Sequence, residues 1–121
     1  MQPNHMMLFY VRDPLASAAF YAKLLGAPAL ETSPGFAMFK LNNGTMLGLW
    51  NRAGVAPAPE AAPGASEIGF HVASDADVDR LHDEWRADGM AIVQSPAQMD
   101  FGYTFTARDP DGHRLRVFAP A

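Results

Sequence analysis

Cysteine is absent from the 121 residues. That excludes disulfides, thiolate metal sites and thiol catalysis, and it fits the cytoplasm, which is the expected location. Basic clusters are absent too: Lys and Arg number 9 against 13 Asp and Glu, for a net charge of −4. A nucleic-acid partner is therefore not expected. No apolar run approaches the roughly 18–20 residues that a membrane span needs, so no membrane association is expected either. The opening stretch MQPNHMMLFYVRD lacks a basic region followed by an apolar core and a small-residue cleavage site, and does not read as a signal peptide. What remains is an ordinary globular composition, 49% hydrophobic, in a chain long enough for one domain with a real core.

The stretch Phe101 to Phe118, FGYTFTARDPDGHRLRVF, reads as a β-hairpin around Asp109-Pro110-Asp111-Gly112. Proline presets φ, aspartate bonds to nearby backbone and glycine takes positive φ. On the second arm Leu115 and Val117 point one way; Arg114, Arg116 and Phe118 point the other. An arginine in mid-strand faces either water or a cavity, and Arg116 poses that choice. His113, just after the turn, is expected to be exposed.

Upstream, Met6 to Val11 is an apolar run that predicts a strand. Asp13-Pro14 then opens a helix with Leu15, Ala18, Ala19, Ala22 and Leu25 at helical spacing, and Gly26 stops it. Phe36 to Leu41 and Thr45 to Trp50 form a hairpin about Asn42-Asn43-Gly44. Residues 53–65, AGVAPAPEAAPGA, are a linker whose prolines favour extended backbone. The grammar then repeats. Ile68 to Val72 is a strand, and Ser74 or Asp75 caps a helix with Val78, Leu81, His82 and Trp85 inward and Gly89 at its end. Ala91 to Val93 is a short strand, and the final hairpin closes the set. The chain is a two-unit duplication of strand, helix and two or three strands, and neither half is large enough for a good core alone. Helices against sheets make the class α+β.

Val11-x-Asp13, Phe20-Tyr21 and Leu25-Gly26 in the first half, with Asp109-Pro110-Asp111-Gly112-His113 in the second, resemble the vicinal oxygen chelate superfamily. That group holds glyoxalase I, extradiol dioxygenases, and fosfomycin-, bleomycin- and phenazine-type resistance proteins. The resemblance covers nearly the whole chain. It implies a single domain over residues 1–121, built of paired βαβββ modules at 5–52 and 66–119 whose curved sheets form a cavity. A homodimer is commonly implied as well.

Enzymes of this superfamily hold a divalent metal through His, Gln or Glu on four strands. By offset from the motifs, those slots fall here at Met6, Gly48, Glu67 and Arg116. Only Glu67 is a plausible ligand; a thioether, a glycine and a fixed cation are not. A one-residue slip would bring in His5, leaving two ligands at most. No metal and no other cofactor is expected. If the slots mark the cavity wall, strand parity adds Leu8, Tyr10, Phe36, Met38, Met46, Trp50, Gly69, His71, Thr104, Thr106 and Phe118, with Phe101 and Tyr103 at the mouth. Such a wall, apolar and aromatic with few polar groups, suits a small planar ligand. Glu67 and Arg116 are expected either to pair with each other or to leave Arg116 for a ligand carboxylate.

The expected function is metal-independent sequestration of a small aromatic compound, as in the phenazine-type resistance proteins that the chain resembles, with no catalytic residue. The resemblance carries Trp50 over by its place at the end of Met46-Leu47-Gly48-Leu49-Trp50. The alternatives are a metal-dependent lyase or dioxygenase of the same fold, a metal-free enzyme using Glu67, His71 or Tyr103, and a protein–protein module whose cavity is filled by side chains.

Overall fold

A computed structural model describes residues 5–121; residues 1–4, where the signal-peptide reading begins, lie outside it. The described chain contains two α-helices and eight strands in two mixed sheets, an α+β fold. It divides into two compact units, one ending at Pro63 and the other running Gly64–Ala121.

In the first unit β1 (Met6–Val11) leads to α1 (Pro14–Leu25), then β2 (Glu31–Thr32), β3 (Phe36–Lys40) and β4 (Met46–Asn51). The sheet order is β1-β4-β3-β2, with β1 parallel to β4 and the other pairs antiparallel. The Asp13 carboxylate accepts from the backbone N–H of Leu15 and Ala16, satisfying donors that the first helical turn leaves open. Gly26 ends the helix at φ 69°, a left-handed conformation that suits glycine. The hairpin between β3 and β4 turns where Asn43 Oδ1 accepts from Thr45 N at 3.0 Å and Gly44 takes φ 84°.

One expectation about α1 needs correction. The stripe it buries is Pro14, Ser17, Ala18 and Tyr21, while Leu15 and Ala19 are exposed. Turning the helix this way buries the whole Tyr21 ring and leaves Leu15 and Ala19 to solvent, and Tyr21 meets Phe39 with ring centroids 6.4 Å apart. The larger apolar area removed from water decides the rotation.

The second unit repeats the order. β5 (Glu67–His71), α2 (Asp75–Ala87), β6 (Ala91–Met99), β7 (Gly102–Arg108) and β8 (Arg114–Pro120) form a sheet ordered β5-β8-β7-β6. Here too the unit's first strand runs parallel to its last and the hairpin pair is antiparallel. Ser74 caps α2 by accepting from Asp77 N. Val78 and Trp85 are buried, and Trp85 and His82 both meet the Phe105 ring edge-on at 5.3 Å.

Strand β6 is nine residues long rather than ending at Val93. Pro96 does not stop it because the ladder to β7 absorbs the irregularity in register shifts between Ile92, Gln94 and Ala97. Strand β2 is also present, though too short to leave a period-two signature. His113 is buried, not exposed: its ring Nδ1 lies 3.2 Å from Ser66 Oγ. Asp109 explains this, since its Oδ1 accepts from Asp111 N and His113 N, each at 2.9 Å, and folds the turn back against the unit.

Candidate functional face

Each sheet has one face covered by its helix and one free of it. Alternation along the strands decides which side chains lie on which. In the first unit Phe9, Val11, Ala37, Phe39, Leu47 and Leu49 are buried on the helix side, where α1 packs on β3 and β4. The other parity forms three rows in register. Met6, Met46 and Lys40 make one; Leu8, Gly48 and Met38 the next; Tyr10, Trp50 and Phe36 the third. Met6, Leu8 and Tyr10 are exposed. Tyr10 and Trp50 meet edge-on with centroids 6.2 Å apart. A side chain on Gly48 would meet Leu8 Cδ2, Phe36 Cζ at 2.9 Å and Met6 Cε at 3.0 Å, so those three ends lean over the glycine.

The second unit carries three rows at the same positions. Glu67, Arg114 and Arg108 stand where Met6, Met46 and Lys40 do. Gly69, Arg116 and Thr106 replace Leu8, Gly48 and Met38, and His71, Phe118 and Thr104 replace Tyr10, Trp50 and Phe36. The aromatic pair persists, as His71 stacks on Phe118 at 5.6 Å with planes 22° apart.

Arg116 is the centre of this second face. Its Nε donates to Glu67 Oε2 at 2.9 Å, and its Nη1 donates to Gln94 Oε1 at 3.1 Å and to Thr104 Oγ1 at 3.3 Å. Thr104 in turn donates to the Val117 carbonyl at 2.8 Å, and Thr106 donates to the same Gln94 oxygen at 3.2 Å. The Phe101 ring covers the guanidinium at 5.7 Å and meets Phe118 edge-on at 6.2 Å. The arginine is held on several sides, so its direction is fixed before any ligand arrives. Its side chain is 17% exposed and that of Glu67 41%, so the ion pair stands at the surface of the face, where solvent weakens it.

Of the residues singled out from sequence, the structure brings Tyr10, Phe36, Met38, Met46, Gly48 and Trp50 onto the first free face. It brings Glu67, His71, Thr104, Thr106, Arg116 and Phe118 onto the second, with Phe101 at its margin. Tyr103 does not join them. It pairs with Ala119 on the helix side, and its hydroxyl donates to Asp79 Oδ1 of α2 at 2.7 Å. That bond to a carboxylate, then partial burial and the nearby negative charge, hold the Tyr103 phenol above its ordinary pKa. The residue missed was Gln94, because β6 was expected to stop one position short of it. Period-two spacing from Ile92 would not have found it, because the register shift between Ile92, opposite Ala107, and Gln94, opposite Thr106, moves Gln94 to the other face.

The donor chemistry does not suit a divalent ion. In the first unit the diagonal from β1 to β4 offers the Met6 thioether and Gly48, which has no side chain. In the second it offers a carboxylate already bonded to the Arg116 guanidinium. A soft thioether and a fixed cation are poor neighbours for a hard cation. The described residues include no group of three His, Asp or Glu placed to share one ion. Nor is any described helix long and apolar enough to cross a membrane.

Residues 2–117 match the family described as the glyoxalase/bleomycin resistance protein/dioxygenase superfamily. The chain is 31% identical over 118 residues to the phenazine antibiotic resistance protein EhpR of Enterobacter agglomerans, covering 95% of this chain and 89% of that one. An Agrobacterium tumefaciens protein solved by NMR is 49% identical, with TM-score 0.89 over 100% of this chain and 99% of that one. A glyoxalase/bleomycin resistance protein/dioxygenase from Nocardioides is 25% identical, with TM-score 0.83 over 99% of this chain and 84% of its own.

Proposed function

The chain belongs to the glyoxalase/bleomycin resistance protein/dioxygenase superfamily, and on that premise we propose that it binds and sequesters a small planar aromatic compound without a metal. The observation that carries this reading is the free face of each sheet: an aromatic pair, one ring exposed and one half-buried, stands beside metal-ligand slots whose side chains do not suit a metal. The similarity to a phenazine antibiotic resistance protein supports a phenazine-like ligand and a protective role. Capture is stoichiometric, lowering the free concentration of the compound, and it requires no covalent step. Affinity comes from stacking and apolar burial, less the cost of immobilising the ligand. The open edges of both sheets support a homodimer, which light scattering tests directly.

The binding test is equilibrium dialysis of a phenazine against the wild type, Trp50→Ala and Phe101→Ala, in chelator and then with Ni²⁺, Zn²⁺ or Mn²⁺. Saturable binding in chelator, weakened roughly tenfold or more by at least one of the two variants, is the expected result. The two variants report on the two faces separately. Quenching of tryptophan emission gives a second readout, provided Trp50→Ala is included, because Trp85 also emits. Trp85 is buried on the helix side between Phe70 and Phe105. Tight stoichiometric metal uptake with no phenazine binding would overturn the reading in favour of a metal-dependent enzyme.

A further inference from the structure

We propose that the second unit's face selects a neutral aromatic ligand bearing an amide-like edge and discriminates against an aromatic carboxylate, with Glu67 as the discriminating residue. The proposal rests on the binding reading above and names the ligand class that Arg116 accepts. A lone arginine beside aromatic rings would invite a carboxylate through its planar fork of donors. Arg116 is not a lone arginine. Its Nε–H is taken by Glu67 Oε2, and both hydrogens of Nη1 are directed to Gln94 Oε1 and Thr104 Oγ1. Among the described residues Nη2 has no hydrogen-bond partner, and neither has the second oxygen of Glu67.

In a guanidinium, Nη2 stands on the same flank as Nε–H, the flank that Glu67 occupies. A ligand bonded to Nη2 therefore sits beside the Glu67 carboxylate. A carboxylate there would meet a like charge and find the guanidinium charge already matched. A neutral edge with one acceptor and one donor meets both open groups at once. It accepts from Nη2 and donates to Glu67 Oε1, and a primary amide is the simplest such edge. The ring carrying that amide has Phe101, 45% exposed, and the exposed His71 beside Phe118 to stack on.

The experiment compares a phenazine monocarboxamide with the carboxylate substituted at the same ring position, a pair of nearly equal shape. Binding to the full chain is measured by equilibrium dialysis at neutral pH for the wild type, Glu67→Gln and Glu67→Asp. Thermal unfolding of each form confirms that it is folded. The wild type is expected to bind the amide roughly tenfold more tightly than the carboxylate at low salt, a gap of the size that one partly screened like-charge contact produces. Glu67→Gln closes or reverses the gap, Glu67→Asp keeps its direction, and high salt narrows it because the pair is solvent-accessible. Equal or tighter carboxylate binding by the wild type, or a gap unchanged in Glu67→Gln, overturns the selectivity while leaving sequestration standing. Failure of both compounds to bind the wild type overturns the sequestration reading itself, and the selectivity with it.

Discussion

In the first unit the diagonal from β1 to β4 joins Met6 to Gly48; in the second the same diagonal joins Glu67 to Arg116. One step further along, Tyr10 with Trp50 becomes His71 with Phe118. The ladders match residue for residue, yet one face is apolar but for Lys40 and the other is charged and tied down. The helix-covered faces show why the backbone tolerates this. Ala37 and Phe39 on β3 correspond to Phe105 and Ala107 on β7, with large and small exchanged, and all four are buried. Each helix supplies its own complement: Tyr21 against Phe39, and Trp85 with His82 against Phe105. Folding is decided on the covered face, which leaves the free face to vary in chemistry without moving a strand.

The largest expected effect tests that division directly. Phe105→Ala and Phe39→Ala each remove a buried ring from equivalent layers and are expected to cost about 3–5 kcal/mol in urea unfolding. A loss from only one of them would break the equivalence of the two cores.

Glycines sharpen the contrast. Gly102, at φ 142°, would set a side chain against the carbonyl oxygen of Ala119, which is backbone and cannot step aside. Gly102→Ala is expected to cost about 2–4 kcal/mol, measured by denaturant midpoint. Gly48→Ala meets only the ends of Leu8, Phe36 and Met6, which can turn away, so its cost is expected to be below about 1 kcal/mol. A large loss at Gly48 would show the first face to be as fixed as the second.

The smallest effect is one that fades in alkali. The bond from Tyr103 to Asp79 raises the phenol above its ordinary value of 10.0, so the folded state holds that proton longer than the unfolded chain does. The stabilisation is present in full below pH 10.0 and is lost as pH rises through the folded value. Tyr103→Phe is therefore expected to be less stable than the wild type near neutral pH, with the difference shrinking above pH 10.0. Thermal unfolding across that range checks it, and an unchanged difference would mean that the bond does not govern the titration.

The sequence by itself determined what local rules govern. Asp13-Pro14 and Gly26 bounded the first helix, Asp109-Pro110-Asp111-Gly112 the last turn, and period-two alternation separated Leu115 and Val117 from Arg116 and Phe118. The resemblance then implied where the diagonal slots fall, but left open whether Glu67 and Arg116 face each other or a ligand. Only the tertiary structure decided that they pair, because a contact between residues 49 positions apart depends on register between strands. It also brought Gln94 to Arg116 through the shifted ladder of β6. The same ladder rules moved Tyr103: β7 begins at Gly102, so Tyr103 is already paired with Ala119 and turned toward α2 instead of standing at a rim. Alternation along a strand is a property of its own backbone; which neighbour lies across the ladder is set by packing contributed from elsewhere in the chain.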